Sequence, residues 1–324
     1  MKKTRALVLL SGGLDSRLAA KILSEQKIEV IGLHFVLPFG SGCCSDKFCI
    51  FKFCQKEGIE LKFIDCLSGR NFIDYLKIVR QPKFGYGKNL NPCLDCRIFM
   101  LKKAGQMMKV LKANFIATGE VLGQRPMSQH LKALKLIDKE TGLEGKILRP
   151  LSAKLLPETE IEKQGLVDRQ KLFAISGRRR LPQLELAKKF NLENFPQPAG
   201  GCLLTDPGFS QRLREMFKNW PDCDKNDIEL LKVGRNFWQF DNLIVVGRNQ
   251  EENKKIENLV KNGDIIVKLK KVPGPTTLIR VKKILNELEK NEIIQKAKNL
   301  TQCYSPKVRE KSLTDIDFCV KIFN

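Results

Sequence analysis

The residues of this chain that can do chemistry fall in a few short stretches. The first, Ser11-Gly12-Gly13-Leu14-Asp15-Ser16, follows an apolar run and precedes an amphipathic one. Paired glycines let a backbone turn sharply and approach a ligand with no Cβ in the way. Loop amides ahead of a helix N-terminus offer donors and a positive dipole to phosphate oxygens. Ser11 and Ser16 add hydroxyls, and Asp15 can cap the helix or help to hold Mg2+. The lysine and four-residue spacer of a Walker A loop are missing, as is the third glycine of a dinucleotide fingerprint. A bare strand-to-helix turn without a ligand is the plain structural alternative.

The second stretch is Cys93-Leu94-Asp95-Cys96, a C-x-x-C where a loop meets a helix. Two thiolates at this spacing can share one metal, and a helix N-terminus is expected to lower their pKa. Zinc, redox and iron–sulfur sites all use the spacing, so alone it does not choose among them. Cys43, Cys44 and Cys49 form another group that could take zinc, but no fourth ligand stands nearby in sequence. Cys54, Cys66, Cys223, Cys303 and Cys319 are read as structural. With eleven cysteines and only two histidines, His34 and His130, any metal site must lean on sulfur.

Ser11 to Ser16 matches the SGGxDS signature of the PP-loop, or N-type, ATP pyrophosphatases, and the chain is identified as resembling that family. The resemblance implies cleavage of ATP between its α- and β-phosphates, with the AMP moiety activating a carbonyl oxygen. It places Ser11, Gly12, Gly13, Asp15 and Ser16 on the nucleotide. It also places His34 and Phe35, at the end of a strand, near adenine, although a packed strand residue explains His34 as well. Asn91-Pro92-Cys93-Leu94-Asp95-Cys96 resembles the corresponding segment of tRNA-thiolating PP-loop enzymes. Bacterial 2-thiouridylases carry Asn-Pro-Asp there, and Cys93 stands in place of that aspartate. Thr118-Gly119-Glu120-Val121-Leu122-Gly123-Gln124 looks like the TGExLGQ segment of the 4-thiouridine synthases, which puts Gly119 and Gln124 near the nucleotide or the incoming base. Cys202, after Gly200-Gly201, is a third thiol. Cys93, Cys96 and Cys202 would suit a [4Fe-4S] cluster with one iron open to hydrosulfide, as in the Fe–S-dependent RNA thiolases. The rival is a persulfide on Cys202 resolved by Cys93 or Cys96. Val245-Val246-Gly247-Arg248-Asn249, Gly263-Asp264 and Pro273-Gly274-Pro275 resemble the RNA-binding domain of NFACT proteins, with an ordinary α+β domain as the alternative.

These residues need elements to hold them. Short apolar runs alternate with amphipathic ones in the first half, the pattern of a parallel sheet with helical crossovers. Strands are predicted at 5–10, 28–36, 60–65 and 114–117, and helices at 15–26, 46–57, 71–79 and 97–111. Residues 80–91 are too polar and too broken for either period. The expected fold is therefore α/β, a parallel sheet with helices on both faces of the PP-loop, HUP-like kind, followed by a smaller α+β domain. The expected divisions are a pyrophosphatase domain at 1–175, a connecting stretch with Cys202 at 176–221, and an α+β domain at 222–324 whose last helix lies near 280–290.

At 324 residues there is room for about two domains. The apolar run after the basic start is about six residues long and leads into a glycine loop, so it reads as a buried strand, not an export signal. A cytoplasmic enzyme without membrane contact is expected. The net charge of +22 points to a polyanion; a uniformly basic proteome would give the same. Arg178, Arg179 and Arg180 suit phosphate contact, although such runs are usually solvated.

The combined reading is ATP- and Mg2+-dependent thiolation of a tRNA uridine, with catalytic residues Asp15, Cys93, Cys96 and Cys202. The partners are tRNA or another structured RNA and a sulfur donor such as sulfide or a persulfide-carrying protein; a homodimer is allowed. The rivals are a PP-loop ligase that puts ammonia on a base, with structural zinc on the cysteines, and an RNA-binding protein with a vestigial ATP site. Asp95 is a guess at a general base.

Overall fold

A computed structural model describes residues 3–40, 47–195 and 202–323. Contacts divide the chain into two compact units, Met1–Asp206 and Pro207–Asn324. The stretch expected to connect domains is thereby shared out between the two units.

In the first unit the elements are β1 (Arg5–Leu9), α1 (Leu14–Ser24), β2 (Glu29–Val36), α2 (Lys47–Lys56), β3 (Glu60–Asp65), α3 (Gly69–Arg80) and α4 (Cys93–Val110). There follow β4 (Phe115–Thr118), α5 (Leu131–Thr141), β5 (Ile147–Leu148), α6 (Glu160–Lys163) and α7 (Leu181–Lys189). The sheet is parallel in the order β3-β2-β1-β4-β5. Its central strand is apolar from Ala6 to its end because a parallel strand covered on both faces has no wet side. Ala6, Val8 and Leu10 pack with Leu14, Leu18 and Ile22 of α1 in one cluster, and Leu7 and Leu9 are buried too. Leu9 lies opposite Leu33 on one side and Thr118 on the other.

The order of strands selects the place for a ligand. From β1 the chain runs outward through β2 to β3, then returns to lay β4 on the other side of β1. Loops leaving the carboxyl ends of β1 and β4 diverge at this switch point and leave a crevice. The loops that leave there are 10–13 and 119–130, the two glycine-bearing segments singled out above.

The second unit holds α8 (Pro207–Asn219), α9 (Lys225–Leu231), β6 (Arg235–Gln239), β7 (Asn242–Val246), α10 (Gln250–Asn258), β8 (Ile265–Leu269), β9 (Thr277–Arg280), α11 (Glu287–Cys303) and β10 (Phe318–Ile322). Its sheet is antiparallel in the order β10-β8-β9-β7-β6. Ile293 and Ala297 of α11 pack on Ile244, Val246, Ile265, Val267 and Ile279. The last helix therefore starts seven residues later than the sequence suggests, capped by Asn286, whose side chain accepts from the Glu289 amide. Residues 277–280 are a strand instead. No helix among the described residues is long and apolar enough to cross a membrane.

Candidate functional site

The loop after β1 is held from within. Gly12 has φ +91°, a conformation that favours glycine, and its carbonyl accepts from Nε of buried Arg17 at 2.8 Å. Ser16 Oγ donates to the Gly13 carbonyl at 2.8 Å, and Ser11 Oγ lies 3.4 Å from Ser16 Oγ. The serine hydroxyls thus brace the loop itself. Gly13 is the N-cap of α1 and no side chain caps it. The first-turn amides of an 11-residue helix are therefore left for another acceptor. The expectation that Asp15 caps the helix is not met: it sits in the first turn, and its Oδ2 accepts from Gln124 Nε2 at 2.8 Å.

Gly119 explains itself by proximity. A Cβ there would lie 2.5 Å from Asp15 C and from Ser16 N, so the loop after β4 rests directly on the backbone of the α1 N-terminus. His34 is buried, and its Nδ1 is 2.7 Å from the carbonyl of Leu10, the residue before the glycine loop. Its ring meets Phe63 edge-on. Phe35 is buried in β2 as well. His34 thus braces the chain that leads into the loop.

Cys93 opens α4, with Pro92 as N-cap, and Cys96 is the fourth residue of the helix. The expected lowering of their pKa is not found. Burial pushes Cys93 up, against the pull of Arg125, Arg97 and a hydrogen bond with Asn91. Burial pushes Cys96 up too, against a hydrogen bond from Tyr75 and the charge of Arg97. Enclosure outweighs the neighbouring guanidiniums and hydrogen-bond partners here. The general-base guess also fails on geometry. The Asp95 carboxylate accepts the amides of Lys83 at 2.9 Å and Phe84 at 3.1 Å, so it anchors the loop before the helix.

Cys202 reaches this neighbourhood through a strap. Its Sγ donates to the Phe39 carbonyl at 3.3 Å, and the Leu203 amide donates to the same oxygen at 3.1 Å. The amide of Leu90 donates to Leu204 O at 3.1 Å, and Asn89 Nδ2 to Thr205 O at 2.7 Å, just ahead of Cys93. The meeting point is Tyr75, fully buried between Phe39 and Phe99. Its Oη lies 3.3 Å from Cys96 Sγ, and burial followed by the charges of Cys96 and Cys202 raises its pKa well above the ordinary value. Among the described residues, no three His, Cys, Asp or Glu side chains already stand close enough to hold a metal ion. Cys43, Cys44 and the side chain of Cys49 lie outside the described residues, as do Gly200 and Gly201. Cys54, Cys66 and Cys223 are buried, and Cys303 and Cys319 exposed.

Several residues the sequence did not single out tie these parts together. Glu120 is 2% exposed. Its Oε2 accepts from Arg149 Nε and Thr118 Oγ1, each at 3.0 Å, and its Oε1 is 3.1 Å from Arg97 Nε. Burial pushes this carboxyl up, but the guanidiniums of Arg97 and Arg149 more than offset it and hold it below the usual range. Arg149 also grips Asp138 of α5 with both terminal nitrogens, at 3.0 and 2.6 Å. Arg97 follows Cys96 directly, the one sequence signal that could have flagged it. Beyond the loop, the Gly177 amide donates to Leu122 O at 2.7 Å, which brings the exposed Arg178 and Arg179 beside the segment 119–124.

The loop after β4 therefore touches both chemical stretches. It reaches the phosphate loop through Gly119 and Gln124, and the thiol helix through Glu120 and the field of Arg125.

Comparison with known proteins follows the same division. The family model described as thiamine biosynthesis protein (ThiI) matches residues 2–161, and that described as NFACT protein RNA binding domain matches residues 234–320. Both agree with the resemblances drawn from Ser11–Ser16, Thr118–Gln124 and the glycine-bearing C-terminal segments. The tRNA-specific 2-thiouridylase MnmA of Rippkaea orientalis is 26% identical over 246 residues, covering 72% of this chain and 64% of that one. The MnmA of Nostoc sp. is 36% identical over 129 residues, 37% of this chain and 34% of its own. The chain thus spans less than two thirds of these relatives. Among solved structures, the U34-tRNA thiolase NcsA from Methanococcus maripaludis with its [4Fe-4S] cluster is 22% identical, with a TM-score of 0.36 over 72% of this chain and 74% of that one.

Proposed function

We propose that this chain uses ATP to activate a uracil oxygen in tRNA and replaces that oxygen with sulfur. One observation carries the reading: a single loop, 119–125, contacts both an uncapped phosphate-type helix terminus and, through Arg97, the helix that carries Cys93 and Cys96. A phosphate site alone would serve any PP-loop activation, and thiols alone could be structural. Their coupling through one loop suits a reaction that first spends ATP and then needs sulfur at the same carbon. The matched relatives act on tRNA as 2-thiouridylases, and the C-terminal match is to an RNA-binding domain.

In this reading the uracil oxygen attacks the α-phosphorus of ATP, the bond to the bridging oxygen breaks, and pyrophosphate leaves. The amides at the start of α1 hold phosphate oxygens as charge shifts onto the leaving group. A sulfur nucleophile then attacks the carbon that bears the adenylated oxygen, and AMP departs with that oxygen. Asp15 Oδ1 is enclosed and accepts no hydrogen bond from the described residues, which fits it to a hard divalent cation such as Mg2+. When bound, Mg2+ neutralises phosphate charge and orients the polyphosphate. Ser11, Gly12, Gly13 and Ser16 shape the loop, with His34 and Phe35 behind it and Gly119 and Gln124 beside it.

For sulfur, Cys93, Cys96 and Cys202 are the proposed holders of a [4Fe-4S] cluster. The donor set is of the right kind: Cys96 and Cys202 both lie by Tyr75, Cys93 opens the helix that carries Cys96, and the Asp95 carboxylate between them is already committed to backbone amides. A cluster held by these three thiols would supply an iron able to take sulfide. Sulfide or a persulfide-carrying protein is the proposed donor, the cytoplasm the proposed compartment, and the second unit the proposed grip on the RNA backbone.

The test is to incubate anaerobically purified protein with ATP, tRNA and sulfide, then to count pyrophosphate and analyse nucleosides by mass spectrometry. Thiouridine formed together with pyrophosphate is expected. Pyrophosphate without a thiolated nucleoside would defeat the sulfur step, and stoichiometric zinc without iron would defeat the cluster.

A further inference from the structure

We propose that Gln183 is a positioning residue of the nucleotide site, acting through Gln124 to fix the Asp15 carboxylate with one oxygen held and the other kept for a divalent cation. The inference rests on the ATP reading above and extends it to a helix outside both loops.

Gln183 lies on α7, which packs on α1, and is fully buried. Its Nε2 donates to Gln124 Oε1 at 3.0 Å, and Gln124 Nε2 donates to Asp15 Oδ2 at 2.8 Å. The carboxylate decides the direction of this relay. Ionised, it can only accept, so Gln124 must turn its NH2 to Asp15 and its carbonyl to Gln183. Gln183 must then present its own NH2 to Gln124. Either amide taken alone could sit flipped; in series behind a carboxylate neither can.

The relay leaves Asp15 lopsided. Oδ2 is committed, while Oδ1 is enclosed and accepts no hydrogen bond from the described residues. A carboxylate at the very terminus that would receive phosphates repels them unless a cation lies between. A divalent ion held by Oδ1 would meet both demands at once. Gln183 thereby tunes a site it does not touch, by removing the rotational freedom of the group that does.

The full chain is titrated with α,β-methylene ATP by calorimetry, with and without Mg2+. In Gln183→Met the relay loses its terminal donor. In Gln183→Glu an ionised side chain can only accept, so Gln124 must flip and set its carbonyl against Asp15. Both variants are expected to bind the analogue roughly tenfold more weakly with Mg2+, with the Mg2+-free affinity kept within about twofold. A residue that only packs α7 onto α1 would lower thermal stability without touching the Mg2+ dependence. The double variant Asp15→Asn with Gln183→Glu reverses the relay: Asn donates to Gln124, which donates to Glu. It should regain the unfolding temperature lost in Gln183→Glu, but not the response to Mg2+. Wild-type Mg2+ dependence in both single variants, or strictly additive losses in the double variant, would overturn the inference. If the unsubstituted protein itself binds no analogue, the ATP reading falls and takes this inference with it. If it binds and the variants match it, this inference falls alone.

Discussion

Each unit buries an arginine between two carboxylates, and the two arrangements end differently. In the second unit Arg280 is 2% exposed. Its Nε lies 2.8 Å from Asp264 Oδ1, Nη1 bonds Asp227 at 2.5 Å, and Nη2 bonds Asn226 and the Leu259 carbonyl. Lys282 adds a further cation, 2.9 Å from Asp227. In the first unit Arg149 is 4% exposed and joins Glu120 to Asp138, but Glu120 passes the connection on to Arg97. Arg97 rides on the helix that begins with Cys93. The same chemistry is finished off by the lysines Lys261 and Lys282 in one unit and relayed toward the thiols in the other. Buried ion pairs add little stability over a well-packed apolar core and cost much to break. A closed network therefore acts as a lock, and an open one as a linkage.

The sharpest way to break the comparison is to empty the lock. Arg280→Met strips buried Asp264 of its cation, while Asp227 keeps Lys282 and Lys261, and should destabilise the second unit by about 3–5 kcal/mol, read as a separated early transition in urea. Loss of that size from the first unit instead would contradict the assignment. Next comes the contact that joins the two loops. Gly119→Ala drives a Cβ into the α1 backbone, and overpacking of about 1–3 kcal/mol should weaken ATP-analogue binding by up to roughly 100-fold while RNA binding persists. Unchanged analogue affinity would show that the loop is not seated as described.

The linkage itself is tested by Arg97→Met. Glu120 keeps Arg149 and Thr118, so the expected stability loss is only about 1 kcal/mol, while thiolation should fall with analogue binding intact. The pH dependence has a definite sign. Because the Glu120 pKa is lowered from 4.5, its contribution is complete above that value and is lost as pH falls through the depressed one. Glu120→Gln should therefore flatten the acid limb of the first unit's stability below that value, and an unaltered limb would remove Glu120 from the account. The smallest effect is on RNA. The first unit carries 35 basic against 20 acidic residues and the second 23 against 16, so attraction to a polyanion is not confined to the unit with the RNA-binding match. Replacing Arg178 and Arg179 by alanine should reduce the salt dependence of tRNA binding by about one ion for each phosphate that the pair neutralises. An unchanged salt slope would place both side chains away from the RNA.

The parts visible in the sequence are those with local signals. Strand β1, the glycine loop and α1 could be read because an apolar run, two glycines and a helical period follow one another within twenty residues. The thiol pair was visible for the same reason. What escaped was set by tertiary contact. Gln183 follows a proline on a short helix, and nothing local marks it as the end of a relay to Asp15. Tyr75 reads as one more apolar position of α3, and Glu120 as a loop acid. Asp95 resembled a base because its two amide partners are twelve and eleven residues away. Strand β10, with Lys321 between Val320 and Ile322 at a sheet edge, lacks a clean alternation. The window 280–290 mixes strand end, turn and helix start, so its apolar residues gave a misleading period.

The strap that brings in Cys202 has a consequence for how the protein is made. The Cys202 bond to Phe39 spans 163 positions of sequence, and at about 5–20 residues per second a ribosome needs roughly 8–30 s to cover that distance. By the later part of that interval β1, β2 and β3 have been made, while Cys93 and Cys96 still await Cys202. The site is therefore completed late in synthesis, after the sheet that supports it. Any metal or oxidant present at the nascent chain meets Cys93 and Cys96 before it can meet Cys202.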